Sequence, residues 1–288
     1  MKRTLLFIFS IIYIMINLSS SSFALKKQII WLTADFPPYE ILSGPYKGRG
    51  NIGYIKKKVM ESLNEYEHLY MVANSKRIFH ELKNKDMVAY ASALKSKERE
   101  KHTIFSIPFL LALPNTAIIS KSKFDKLRPY IRDGHLLLDR SITESDLLLG
   151  RSVGRAYGGV IDNFFTKYNG HKNISIYYNN LFKAAITELI KKNVDYIIGY
   201  PAEVSFFLKI SNTKNHIASI PVRGMPDYLL CYFAFPKTQW GKSTVKRVNT
   251  VLKKHRNSEK FHKLYEFWLD DMAKETYRNY TKKFYSEK

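Results

Sequence analysis

Met87-Val88-Ala89-Tyr90-Ala91-Ser92-Ala93, Lys97-Glu98-Arg99-Glu100-Lys101 and Phe105-Ser106-Ile107-Pro108-Phe109 follow one another as a strand-like run, a charged turn and an apolar run broken by proline. Arg99 therefore stands just beyond the carboxyl end of a strand. A guanidinium is permanently charged and presents a planar fork of donors, so there it is able to hold a carboxylate through two parallel hydrogen bonds. Taken alone, the run reads rather as a solvated charged turn. The surrounding pattern decides between the two readings.

Upstream, Gln28 to Thr33 reads as a buried strand that Pro37 and Pro38 stop in an extended turn. Asn51 is placed to cap a helix whose Ile52, Ile55, Val59 and Leu63 recur at helical spacing. Leu69 to Val72 follows as a strand, and Ser75 as the cap of a helix carrying Ile78, Phe79 and Leu82. Strands alternating with helices predict a mostly parallel sheet, with ligands at the carboxyl ends of its strands.

A second series begins after Leu113-Pro114: a strand from Thr116 to Ile119, a loop region through Asp139, Ser152-Val153-Gly154, and Gly158-Gly159 before a helix with Ile161, Phe164 and Phe165. Asn180 reads as the cap of a helix through Ala185, Ile186 and Leu189, with Val194 to Gly199 as the next strand. Leu229 to Phe235 should carry the chain back, ahead of helices with Val245, Val248 and Leu252, then Phe261, Leu264, Tyr265 and Trp268. The expected fold is α/β, two Rossmann-like lobes joined by two hinge crossings near Leu113 and Tyr228. Residues 25–113 and 229–288 would form a discontinuous lobe 1, and residues 114–228 lobe 2. The charged, helix-compatible tail from Asp271 to Lys288 has no evident place.

The order and spacing of these motifs resemble the periplasmic solute-binding proteins, family 3. The resemblance is carried by Met87 to Phe109, by Trp31-Leu32-Thr33-Ala34-Asp35-Phe36-Pro37-Pro38-Tyr39-Glu40, by Asn193-Val194-Asp195-Tyr196-Ile197-Ile198-Gly199-Tyr200 and by Phe235-Pro236-Lys237. It covers nearly the whole chain beyond the amino-terminal segment, and with Gly48-Arg49-Gly50 it looks like a divergent branch. It implies the type II periplasmic binding protein fold. In that family the motif arginine, backbone amides and a hydroxyl hold a ligand carboxylate, and an acid of the second lobe holds its ammonium. Arg99 matches the arginine. Where the family has Gly-x-Thr this chain has Ser92-Ala93-Leu94, so that the hydroxyl is either missing or displaced to Ser92, and Tyr200 corresponds to the second-lobe acid. The resemblance thus implies a more cationic or aromatic pocket and an acidic or aromatic ligand.

Asp35 is a candidate substitute for the missing acid, or else a cap of its own turn. Phe36 and Tyr39 read as pocket walls or as core, and Trp31, inside its strand, as core. In Arg155-Ala156-Tyr157-Gly158-Gly159, at a helix start, free N–H groups of Gly158 and Gly159 would favour an anion. Tyr157 and Tyr200 add rings and hydroxyls, and Arg155 a second cation.

With 288 residues, 45% of them hydrophobic and 14% aromatic, the chain is long and apolar enough for two cores. Lys2 and Arg3, the apolar run Leu5 to Leu18 and Ser22-Phe23-Ala24 read as a cleaved signal peptide, residues 1–24; the apolar run falls short of the roughly 20 residues that span a bilayer. The expected location is periplasmic. The single cysteine, Cys231, reads as core filler, unable to close an internal disulfide and too far from the signal to carry a lipid. A net charge of +22 would draw anionic partners, but lysines spread as in Lys56-Lys57-Lys58 and Lys191-Lys192 carry no nucleic-acid motif. No metal-ligand spacing, P-loop or nucleophile motif appears, and the histidines His68, His80, His102, His135 and His171 read as surface residues. The sequence therefore predicts a monomeric binding protein without cofactor or metal, its partners a small carboxylate-bearing ligand and an inner-membrane permease or sensor receptor. Two alternatives stand beside it: a dehydratase-like enzyme using Asp35 or Glu40 as acid or base, and a partner-binding sensor with a degenerate pocket.

Overall fold

The computed structural model describes residues 26–152, 155, 157–177, 182–212 and 217–286. The expected signal peptide, Val153-Gly154, Ala156 and the expected cap Asn180 lie outside the described residues. The first part of the chain builds β1 (Gln28–Thr33), α1 (Asn51–Glu61), β2 (Glu67–Val72), α2 (Ser75–Asn84), β3 (Val88–Leu94), α3 (Lys97–Glu100), β4 (Thr103–Phe105) and β5 (Leu110–Ala112). Next come β6 (Thr116–Ser120), α4 (Phe124–Leu127), β7 (Ile131–Arg132), β8 (His135–Leu136), α5 (Leu138–Thr143), β9 (Leu149–Ser152), α6 (Gly159–Lys167), β10 (Ile174–Tyr177), α7 (Phe182–Ile190), β11 (Tyr196–Gly199), α8 (Pro201–Ile210) and β12 (Ile217–Pro221). The chain then returns through β13 (Leu229–Pro236) to α9 (Gln239–His255), α10 (Glu259–Glu266) and α11 (Asp271–Ser286).

Two sheets organise two lobes. The first runs β2-β1-β3-β13-β4, with β5 also paired to β13; the second runs β10-β9-β11-β6-β12. In the first sheet β2, β1 and β3 are parallel, as βα connections require. β13 arrives from the other lobe and lies antiparallel to β3, β4 and β5. In the second sheet β10, β9 and β11 are parallel and β6 lies antiparallel to β11 and β12. Only β13 in the first sheet and only β6 in the second run against the other strands, so both sheets are mostly parallel in strand direction, as the alternation of strands and helices predicts.

Trp31 and Cys231 are buried in the first lobe's core. Burial pushes the Cys231 thiol up to about 12. His68, expected at the surface, is half-buried and accepts a hydrogen bond from the Trp31 indole at 2.9 Å. Two caps shift by one residue. Gly50, not Asn51, precedes α1, because a Cβ there would stand 2.2 Å from the Tyr39 carbonyl oxygen. Asn74, not Ser75, caps α2, its side chain accepting from Arg77 N at 3.0 Å. The expected loop through Asp139 is instead the short helices α4 and α5 around the β7–β8 hairpin. Its turn residues Asp133 and Gly134 have φ of 51° and 75°, and its apolar Leu127, Leu136 and Ile142 are fully buried. The tail finds its place as α11, which buries Ala273, Tyr277 and Phe284 in the first lobe's core.

Candidate functional site

The carboxyl ends of the parallel strands carry the residues of interest: Asp35, Phe36 and Tyr39 after β1, Arg99 after β3, Arg155 and Tyr157 after β9, Tyr200 and Glu203 after β11. Helix α8 joins the lobes. Its Ala202 and Phe206 are buried with the first lobe's core, while Val204 and Leu208 belong to a core of the second. Tyr200, at its N-cap, meets Phe36 and Tyr39 edge-on, with ring centroids 5.9 and 6.1 Å apart. Phe36 and Tyr39 stack at 5.2 Å, and Tyr39 packs on Tyr265 at 5.8 Å. Aromatic pairs at such separations contribute about 0.5–1.5 kcal/mol beyond the area they bury.

Beneath this wall Arg155 grips Glu203 with both arms of its fork, Nη1 to Oε1 at 3.0 Å and Nη2 to Oε2 at 2.6 Å. The two side chains are only 12% and 6% exposed. The same guanidinium lies 5.5 Å from the ring centroids of both Tyr157 and Tyr200. Burial pushes the Glu203 carboxyl up, and the bidentate contact with Arg155 opposes that shift. Glu203 also acts on the Tyr39 phenol, which burial above all, then Tyr265 and Tyr200, raise well above the usual range. The ion pair therefore sits where the lobes meet.

The expected anion cradle at the start of α6 is already filled. Asp162 accepts from Tyr157 N and from Gly158 N, both at 2.9 Å. Gly158 thus does not offer its N–H to a ligand: an acid one turn into the helix reaches back to the amides that an anion would have used. Tyr157 is likewise corrected from ligand contact to second-lobe core. It packs against Phe165 at 5.1 Å, its hydroxyl accepts from Ser152 N at 3.0 Å, and its carbonyl accepts from Asn115 Nδ2 at 2.7 Å.

Arg99 is half-buried and held differently. Ser96 caps α3 by accepting from Arg99 N at 3.3 Å, Nη1 donates to the Leu94 carbonyl at 2.7 Å, and the guanidinium lies 3.8 Å from the Phe79 ring centroid. Among the described residues no carboxylate forms an ion pair with it. Tyr90, on β3 beside β13, meets Phe79 edge-on at 6.2 Å; burial pushes its phenol up to about 12, and Ser92, Cys231 and Arg99 all act on it. Asp35 is exposed and accepts from Leu42 N at 3.0 Å, the turn-capping alternative. Glu40 is buried and engaged by Lys56, which makes it a structural ion pair rather than an available acid or base. No group of three potential metal ligands occurs among the described residues, and no described helix is long and apolar enough to cross a membrane. A separate cavity of about 260 Å³ lies where both crossings meet α11, lined by Leu113, Pro114, Ser219, Met225, Met272 and Tyr280.

The structure thus brings Phe36, Tyr39 and Tyr200 together and places Arg99 and Ser92 at the same strand edge on the first lobe. Sequence reasoning missed Glu203, Asp162, Asn115 and Tyr265. An acid in the first turn of a helix is the one legible signal, and it marks Glu203 and Asp162.

No protein-family model matches the chain, and no curated protein sequence matches it. Solved structures do. An ancestral cationic amino acid solute-binding protein superposes with a TM-score of 0.64 at 15% identity, covering 85% of this chain and 96% of its own. A structure from work on glutathione import through a cystine importer of Streptococcus mutans gives 0.62 at 18% identity, covering 87% and 99%. A histidine kinase sensor domain similar to periplasmic binding proteins gives 0.58 at 13%, covering 85% and 96%. The chain has the two-lobed fold of these solute-binding proteins.

Proposed function

We propose that the protein is an extracytoplasmic solute-binding protein that closes its two lobes on a small organic anion, with Arg99 as the carboxylate clamp. One observation carries this reading: of the two arginines that follow β3 and β9, Arg155 is paired with Glu203 and Arg99 has no carboxylate among the described residues. Phe36, Tyr39 and Tyr200 would wall the ligand and Ser92 would add a hydroxyl. Residues 25–113 and 229–288 would move against residues 114–228 about hinges near Leu113 and Tyr228. Closure would follow only from tighter binding to the closed form, which a permease or a sensor receptor then reads as shape. Structures of this fold include amino acid ABC transporter substrate-binding proteins and a histidine kinase sensor domain, which supports both uses. A second reading, a partner-binding sensor with a degenerate pocket, draws on the aromatic contacts that already join the lobes in this structure.

The test is a thermal-shift and calorimetric screen of residues 25–288 against aromatic acids, dicarboxylates, amino acids and short peptides. A ligand at about 100-fold above Kd adds about 2.7 kcal/mol of stability. Arg99→Ala is expected to weaken carboxylate binding by about 2–5 kcal/mol. Unchanged affinity in a folded Arg99→Ala protein overturns the clamp; silence across the panel favours the sensor reading.

A further inference from the structure

We propose that the cation position between the lobes is filled by the chain's own Arg155, so that the site takes carboxylates that carry no ammonium group. This rests on the reading of the cleft as a carboxylate site and names its ligand class.

Glu203 with the Tyr157 and Tyr200 rings makes a box suited to an organic cation: one carboxylate presenting both oxygens, and two π faces. Arg155 occupies it, with bonds of 3.0 and 2.6 Å and both rings at 5.5 Å. A solute ammonium would compete with a tethered guanidinium, whose effective concentration is on the order of millimolar or more even for a flexible link. It would also exchange a bidentate, planar fit for a point charge.

Displacing Arg155 would leave a guanidinium to be rehoused in a buried region, and binding beside it would place two positive charges together without a second acid. The other potential charge of this lobe's strand ends, the amide cradle of α6, is answered by Asp162. At these two places the second lobe thus answers its own guanidinium and its own helix amides with acids of its own. What remains to be satisfied is the Arg99 fork, by a carboxylate.

The decisive measurement compares matched ligands that differ only in the amino group: 3-phenylpropionate against phenylalanine, and succinate against aspartate. The expected result is at least about tenfold tighter binding of the member without nitrogen. Equal or tighter binding of the amino acid overturns the inference and leaves the carboxylate clamp standing. Failure of every carboxylate to bind removes both.

Arg155→Ala, which vacates the box, is expected to gain a thermal shift with millimolar methylguanidinium that wild type lacks, and to lose the preference within each pair. Arg155→Lys keeps a cation there and is expected to keep the preference. A folded Arg155→Ala protein that ignores methylguanidinium and retains the preference overturns the assignment. Where that variant does not fold, recovery of folded protein with methylguanidinium supports the box, and the wild-type comparison stands on its own.

Discussion

Arg155 and Arg99 are the same side chain under opposite conditions. Arg155 is buried, paired with Glu203 through both arms of its fork and flanked by two tyrosine rings. Arg99 is half-exposed, tied to one backbone carbonyl and laid over one phenylalanine. An arginine completed inside the chain adds to its stability; one left without an acid is, on the proposed reading, the place for a guest. The first is a matter of folding, the second of binding, and mutations should separate them.

The largest effect is expected at Glu203. Removing one partner of a buried pair strands the other charge, at about 3–5 kcal/mol. Glu203→Ala should therefore shift the urea unfolding midpoint strongly, and loss of only a few tenths of a kcal/mol would show that Arg155 finds water instead. Asp162→Ala comes next. It frees the amides of Tyr157 and Gly158, each bond contributing about 0.5–1.5 kcal/mol and more where a charged acceptor is involved. The same variant should acquire a sulfate-dependent thermal shift, since it restores the anion cradle that the sequence predicts at this helix start.

Arg99→Met is the counterpart. Exposed ion pairs and cation–π contacts contribute about 0.5–1 kcal/mol, so its unfolding curve should move little while carboxylate binding disappears. A large loss of stability here would mean that Arg99 is a structural residue and that the contrast with Arg155 is false.

Much of this was open to a reader of the chain. The strand ends are written locally, in apolar runs such as Gln28 to Thr33 and Leu229 to Phe235 and in the prolines and glycines that stop them, so it is legible from position that Phe36, Tyr39, Arg99 and Tyr200 stand just past strand ends. The β7–β8 hairpin escaped because two-residue strands leave no periodicity to read. α11 was visible as a helix but not as a core element, since Tyr277 and Phe284 have no local sign of the surface they meet. Glu203 and Asp162 have the signature of first-turn acids, whose default partner is the helix dipole. That each faces a group otherwise suited to hold a ligand anion, a guanidinium in one case and two amides in the other, is a tertiary fact that no local pattern carries.

The smallest effect at neutral pH concerns the phenols beside the two arginines. Tyr200, near Arg155, and Tyr90, near Arg99, both have their ionisation pushed up to about 12, in each case chiefly by burial. The unfolded chain gives up these protons near the ordinary value of about 10. Between those values the unfolded state binds fewer protons than the folded one, so their share of stability is whole below pH 10 and falls as pH rises toward 12. Neither phenol, then, supplies an anion to its neighbouring arginine at neutral pH, and of the two arginines only Arg155, through Glu203, has an anionic partner among the described residues. Urea unfolding followed from pH 8 to 12 should show a shallow decline that the Cys231 thiol, also raised to about 12, begins near its ordinary value of about 8.5–9, and a steeper one above about 10 that is weaker in Tyr200→Phe and in Tyr90→Phe. A decline that begins near pH 8 and vanishes in Tyr90→Phe would mean that Arg99 draws a phenolate at neutral pH, already holds its anion, and does not wait for one.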